Sequence, residues 1–554
     1  MDTGRLDTLL GRLDDRKDAW AQLAPEKRAR YFRQCIRGVE QVAPAWVADA
    51  CRHRSIDPES ALAGEEWLSG PAVTVRGLRL TAEALEQSGA PALPGAPHRV
   101  TGGWSVPVFP ATVADRVLYR GMSAEVRVLP GAEITQGRIY RERRDGNAPE
   151  PAVAVVLGAG NISSIAPLDV AHELAATGRV VALKMNPVNE YLGPHLERAF
   201  RPLIDEGFLA IAYGGADVGD YLCRHPLVGA IHLTGAGSTF DAIVWGSDAE
   251  ERESRKRHGT PRIDKPMTAE LGCVTPILVV PGDWTDADVR FQARHVAAMV
   301  AHNASHNCNA GKVLVTARNW ALRARFVDAV RDALAGTPPR VAYYPGADDR
   351  YESFLDAYPQ AEVLGATGDR IVPWTLIPDV PANPGEVALR TEAFCGVLAE
   401  VPLDAGSAED FLERAVAFVN RDVAGTLSCA VLVKPSRLER ERAALERAID
   451  GLRYGAVAVN VWPGVVFGLG STPWGAYPGN TLDDVGSGIG VVHNTFLLDL
   501  PEKTVMRAPF RLWPTPVWFA GHRTLDRLGR HLTAFEGRRT PWALAGILWA
   551  GLRG

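Results

Sequence analysis

The sequence predicts an α/β protein of two lobes, each built on a doubly wound, largely parallel sheet. Three observations carry this. Four short apolar runs, Val153 to Leu157, Val180 to Leu183, Leu209 to Ala212 and Gly229 to Leu233, alternate with helical stretches such as Val170 to Ala176 and His195 to Ile204. Uninterrupted apolar strands fit a sheet covered on both faces, and strand–helix alternation implies parallel strands. The alternation resumes later, with strands at Lys312 to Val315, Val341 to Tyr344, Thr426 to Val433 and Ala456 to Val461, and helices at Trp320 to Leu334 and Phe411 to Val419. Finally, 554 residues with 46% hydrophobic and 23% charged content are ordinary for a globular chain and suffice for several units of ~150 residues.

The remaining elements follow in order. Leu9, Leu13, Trp20 and Leu23, then Tyr31, Cys35, Ile36 and Val39, recur at helical spacing, so residues 1–70 read as helices. The Pro/Gly-rich passage from Ala90 to Pro110 reads as a surface connection. Glu125 to Leu129 and Glu133 to Arg141 alternate on either side of Pro130-Gly131, which predicts a hairpin. Residues 247–264 form a charged, solvated insertion.

Composition narrows the function. A net charge of −5 gives no polyanion footprint, so nucleic acid is not an expected partner. Seven scattered cysteines without a CxxC pair suit a reducing compartment. The first residues lack an apolar signal core, and no run reaches the roughly 20 apolar residues of a membrane span. The expectation is a cytoplasmic enzyme.

Cys308 lies in Ser305-His306-Asn307-Cys308-Asn309-Ala310-Gly311, among small and polar residues just before Val313-Leu314-Val315. Structural cysteines usually sit inside an apolar periodicity, whereas polar backbone-rich surroundings suit a thiolate. Upstream, Glu270 stands at the mouth of a strand. A cysteine with a carboxylate suggests thiolate attack followed by base-assisted hydrolysis. With these segments the chain resembles the aldehyde dehydrogenase superfamily, as a divergent member. The family's Glu-Leu-Gly-Gly is matched at three positions by Glu270-Leu271-Gly272-Cys273, and its cysteine motif survives as Cys308 with Ala310-Gly311.

Other landmarks keep the family's order. Asn161 in Gly158-Ala159-Gly160-Asn161 falls on the asparagine whose amide faces the reacting oxygen, and an uncharged amide is a suitable oxyanion donor. Lys184 and Asn186 occupy the ribose-binding Lys-Pro-x-Glu motif, with Pro187 in place of its glutamate. Gly215 and Gly219 fill the loop beside the adenine; Thr234, Gly235 and Ala236 fill the pyrophosphate turn at a helix N-terminus. Leu271 follows the base, and Glu392 and Phe394 match the residues beside the nicotinamide ribose and ring. The resemblance implies NAD or NADP as cofactor, the missing glutamate leaving the choice open.

The resemblance further implies an N-terminal helical part (1–118), a small β oligomerisation element formed by the hairpin (119–150), an NAD(P)-binding domain (151–270), a catalytic domain (271–470) and a C-terminal segment (471–554). It implies a homodimer or homotetramer oxidising an aldehyde through a cysteine thiohemiacetal and thioester. Trp462 and Phe467, near the expected pocket, favour a hydrophobic or aromatic aldehyde. Two alternatives stay open: a coenzyme-A-linked acyl reductase on the same fold, and a weakened scaffold member. A third reading makes His302, His306 and Cys308 zinc ligands, which needs a helical 302–306. The reading adopted has no metal, with the histidines flanking the loop, where either would help lower the thiol's pKa. Residues 503–554 interleave Lys503, Arg507, Arg511, Arg523, Arg527, Arg530, Arg538, Arg539 and Arg553 with tryptophans, facing only Asp526 and Glu536. Two uses fit: a peripheral membrane contact, or packing along the protein, which is favoured.

Overall fold

The computed structural model describes residues 2–368 and 370–554. Two sheets organise it. The smaller has six strands in the spatial order Gly488–Ile489, Met267–Glu270, Val228–Thr234, Val153–Leu157, Val180–Lys184, Leu209–Ala212. All pairs are parallel except the outermost, Gly488 against Glu270. Sequence order runs outward in both directions from Val153–Leu157. Its boundary with Val228–Thr234 is therefore a topological switch point, where ligands bind beyond the carboxyl ends of strands. Val153 to Val156 and Val180 to Leu183 are buried throughout, as expected for strands covered on both faces.

The larger sheet has eleven strands. Its parallel centre is Ala456–Val459, Ser428–Leu432, Thr275–Val279, Gly311–Ala317, Val397–Leu403 and Trp374–Ile377. Pro501–Arg507 joins this centre, parallel to Ala456–Val459 on one side and antiparallel to Ser123–Val128 on the other. Each sheet has its own core. The N-terminal helices Thr3–Asp14 and Pro25–His53 pack on the smaller sheet through Leu10, Leu13, Phe32, Cys35, Ile36 and Val39.

Three expectations need correction, and the solvated insertion takes the form of a helix. Glu133 to Arg141 is not a strand: Gly137 has φ 62° and opens the helix Arg138–Arg144, burying Ile139 and Tyr140 under the N-terminal helices. A side chain at Gly137 would collide with the carbonyl of Gly89, so the turn is enforced by packing that local alternation does not report. Ser123–Val128 instead pairs with Gly103–Phe109, within the passage expected to be a surface connection; Val106 and Val108 are fully buried there. Val341 makes a single bridge to Ile371 rather than starting a strand, which leaves Tyr343 and Tyr344 free to turn over the nucleophile loop. The charged insertion forms a helix, Ala249–His258, with no buried residue.

The tail is largely committed to packing. Buried Lys503 donates from Nζ to the carbonyls of Ile449, Asp450 and Leu452 at 3.2, 2.8 and 2.8 Å, capping the helix Glu439–Gly451. Arg507 pairs with Glu446, Arg511 with Asp288 and Arg538 with Glu40. The acids that balance these bases lie elsewhere in the chain, which a count within the tail could not reveal. The helix Leu525–Arg538 crosses Ala63–Trp67 at a glycine contact: a Cβ on Gly64 would lie 2.2 Å from the Leu525 backbone, and one on Gly529 would lie 2.4 Å from Trp67. The last helix, Pro541–Leu552, buries Ala543, Ile547 and Ala550 and exposes Trp542, Leu548, Trp549 and Leu552. No helix among the described residues is long and apolar enough to cross a membrane.

Candidate active site

Glu270 ends the strand Met267–Glu270, and Cys308 lies in the turn before Gly311–Ala317, so each sheet contributes one group to the cleft. The half-buried Cys308 thiol donates to Glu270 Oε1 at 3.1 Å. Glu270 Oε2 is buried without a hydrogen-bond partner among the described residues. Burial, reinforced by the buried Asp169 carboxylate, pushes Glu270 up to about 7. Burial and the Glu270 charge hold the Cys308 thiol well above the ordinary range, so the sulfur rests as a thiol. A carboxylate of raised pKa at hydrogen-bonding distance can take the thiol proton as the sulfur attacks.

The loop leading to Cys308 is unusual. Asn303, Ala304 and Ser305 have φ values of 54°, 53° and 66°, a left-handed turn of three residues that are not glycine. The helical His302–His306 pair needed for zinc is therefore absent. Asn303 holds the turn: its Nδ2 donates to the carbonyls of Asn161 and His306, both at 3.1 Å, while its Oδ1 accepts from Arg54 and Tyr343. Arg54 is ion-paired with Glu66, both almost wholly buried, and donates to the Asn161 carbonyl at 2.8 Å. Lys312 donates to Ser305 Oγ at 2.6 Å, to the Ser305 carbonyl at 3.4 Å and to the Cys395 carbonyl at 2.8 Å, which occupies all three ammonium hydrogens. Burial lowers its pKa to about 8.

Asn161 follows the strand Val153–Leu157 and donates from Nδ2 to the His306 carbonyl at 3.0 Å, which fixes the amide beside the nucleophile turn. The histidines do not lower the thiol's pKa. Burial pushes His306 down to about 3, and its Nδ1–H donates to the Phe394 carbonyl at 2.8 Å, so the ring is neutral. Burial lowers His302 as well, and its ring packs on Trp462.

Residues expected at a dinucleotide lie along the carboxyl ends of the smaller sheet. Lys184 ends its strand, with a pKa lowered by burial and opposed by Glu190 and Asp217. Asn186 Oδ1 caps the next turn at Val188 N. Gly215 precedes the helix Ala216–Arg224, which contains Gly219. Gly235 and Ala236 lead into the helix Gly237–Val244, whose first turn is exposed and has no side-chain cap. Thr234 stands apart: its hydroxyl points inward and donates to Asp169 Oδ2 at 2.9 Å. Leu271 is buried behind the base. Glu392 lies against Gly272, and its Oε1 is buried without a partner among the described residues; burial pushes it up to about 7 despite Lys312. The Phe394 ring packs on Tyr344 and His306. A free helix N-terminus, a lysine at a strand end and an orphaned carboxylate along one switch-point crevice fit a dinucleotide.

Sequence reasoning missed Arg54, Glu66, Asn303 and Tyr343, and also Glu65, whose Oε2 accepts from the Asn303 N–H at 3.3 Å and pairs with Arg340 at 3.0 Å; together they support the nucleophile turn. Their only sequence signal is Glu65-Glu66 beside Trp67, acids in a helix buried on all sides.

The structure thus brings a cysteine–carboxylate pair between a sheet with a topological switch point and a second α/β lobe. Residues 153–354 match the model of the aldehyde dehydrogenase family. Among solved structures, a mutant of AldC from Pseudomonas syringae, complexed with NAD+ and octanal, aligns at a TM-score of 0.60 and 15% identity over 93% of this chain and 90% of that one. KauB from Pseudomonas aeruginosa aligns at 0.60 and 17%, over 92% and 90%. An aldehyde dehydrogenase from Mycobacterium tuberculosis, complexed with NAD+, aligns at 0.59 and 16%, also over 92% and 90%. Residues 153–354 therefore match the aldehyde dehydrogenase family, and over about nine-tenths of its length the chain has the fold of the aldehyde dehydrogenases.

Proposed function

We propose that this chain oxidises an aldehyde with an apolar body to its carboxylic acid, using NAD as hydride acceptor. The observation that carries the reading is the 3.1 Å contact between Cys308 Sγ and Glu270 Oε1. As the sulfur attacks the carbonyl carbon, Glu270 takes the thiol proton. The developing oxyanion is met by the Asn161 amide and the Cys308 backbone N–H. A bound nicotinamide supplies the acceptor for the hydride that leaves the thiohemiacetal carbon. The acyl group then remains on Cys308 as a thioester. Glu270 passes the thiol proton to bulk water and, again a carboxylate, draws a proton from a second water as that water attacks the thioester carbon; the C–S bond breaks, the acid leaves, and the proton on Glu270 returns to the Cys308 sulfur.

The residues that would hold the dinucleotide are Lys184, Gly215, Gly235, Ala236 and Glu392. NAD is favoured over NADP because Glu190 and Asp217 flank Lys184 and leave its surroundings net negative, which opposes a further phosphate. The NAD+ complexed in the solved structures of AldC and of the Mycobacterium tuberculosis aldehyde dehydrogenase supports the same choice. The test is NADH formation by the purified chain across aliphatic and aromatic aldehydes, with and without coenzyme A. No NADH with any aldehyde would refute the reading, and turnover only with coenzyme A would replace water as acyl acceptor.

A further inference from the structure

A cavity of about 160 Å³ is lined by Asn307 and Asn309, the two neighbours of Cys308, and by Ile162, Trp462 and Phe467. The tail supplies Val517, Trp518, Leu532 and Glu536 to the same lining. An apolar cavity of ~150 Å³ holds a benzene-sized molecule. The volume therefore suits an aryl group or a medium alkyl chain.

The tail wall is fixed, not loosely apposed. Glu536 Oε1 accepts from Arg76 at 2.8 Å, and its Oε2 accepts from Arg79 at 2.6 and 3.1 Å, all three side chains being almost wholly buried. Burial alone would raise the Glu536 pKa, but Arg76, Arg79 and Arg539 bring it down to about 2. Together with the Gly64 and Gly529 crossing, these pairs anchor the helix Leu525–Arg538 in position and rotation, so Leu532 is presented to the cavity as a fixed surface.

We infer that the part of the tail beyond the strand Pro501–Arg507, residues 508–554, is the size gauge of the acyl side of the active site. Leu532 and Trp518 set how large an apolar body can follow the aldehyde carbon to Cys308, and the substrates are aldehydes of aryl or medium alkyl size. This rests on the aldehyde-oxidising reading above, and it gives the tail a use beyond packing.

The test compares kcat/KM for linear aldehydes from ethanal to dodecanal and for phenylacetaldehyde. It uses the full chain carrying Leu532→Trp, Leu532→Ala or Trp518→Ala, with exposed Arg527→Ala as control. A methylene more or less in such a pocket changes selectivity by roughly 10- to 200-fold. Leu532→Trp is expected to lower the octanal-to-propanal ratio at least tenfold, whereas Leu532→Ala and Trp518→Ala move the optimum toward longer chains and Arg527→Ala leaves the ratio at the wild-type value. Ratios within twofold of wild type in all three pocket variants, each folded by circular dichroism, would overturn the inference while leaving the chemistry intact. Octan-1-ol binding by calorimetry separates the two claims. Octanol bound by wild type and lost in Leu532→Trp, with no aldehyde oxidised, would refute the chemistry and keep the wall.

Discussion

Glu270→Gln is expected to make the protein more stable while disabling it. In the folded chain the Glu270 pKa rises from 4.5 to about 7, chiefly because burial penalises its charge. The folded state thus binds a proton more tightly than the unfolded one. Between these two values the native chain holds more protons, so stability falls as pH rises through the window, and the full cost is present above pH 7. At about 1.36 kcal/mol per pKa unit the cost is about 3 kcal/mol. Glutamine keeps the shape and still accepts from the Cys308 thiol, but cannot ionise. With unfolding entropy of about 2.1 cal/mol/K per residue, a chain of 554 residues gains roughly 3 °C in melting temperature. Scanning fluorimetry of both proteins between about pH 4.5 and about pH 8 should show equal values at the acid end and a gap widening in favour of the variant. A constant gap, or a variant that melts lower at the alkaline end, would refute the assignment of a buried, strained carboxylate. In the same variant the NADH burst should be slow at neutral pH and recover at alkaline pH, where the thiolate forms unaided, while steady turnover stays low throughout.

Cys308→Ser should lower aldehyde turnover by roughly 10³-fold or more, with NAD binding by fluorescence unchanged; wild-type turnover would remove Cys308 from the chemistry. Glu190→Gln should improve the use of NADP relative to NAD by roughly tenfold, since one repelling charge near Lys184 is gone; an unchanged ratio of kcat/KM values would place the discrimination elsewhere. Glu536→Gln leaves Arg76 and Arg79 buried without their shared anion and should cost about 3–5 kcal/mol in denaturant unfolding. A loss under about 1 kcal/mol would mean the anchor is not needed.

Much of this was legible in the sequence, for reasons that differ by region. The strands Val153–Leu157 and Val180–Lys184 are buried on both faces, so their uninterrupted apolar runs mark them directly. Cys308 and Glu270 stand 38 positions apart, and it was the chemistry of an isolated cysteine with a carboxylate at a strand mouth, strengthened by the family resemblance, that paired them before their contact was visible. The support around them was not legible because it is assembled from afar: Arg54 and Asn303 are 249 positions apart, and neither has a local pattern marking it. The hairpin failed at Gly137, whose left-handed turn is set by close approach to Gly89. The tail misled because its charges are balanced by Glu40, Asp288 and Glu446, far outside it.

The strand Pro501–Arg507 has a consequence for biosynthesis. It is the only described strand linking Ser123–Val128 to Ala456–Val459, so the two parts of the larger sheet share no hydrogen bond until it arrives. A nascent chain emerging from the ribosome can complete the smaller sheet's five parallel strands once Glu270 is out, but Ser123–Val128 keeps an unpaired edge until residue 507 has cleared the exit tunnel. Such an edge invites pairing with other chains. Translation pauses between codons 130 and 500 should therefore expose a chaperone client whose release depends on delivery of one seven-residue strand.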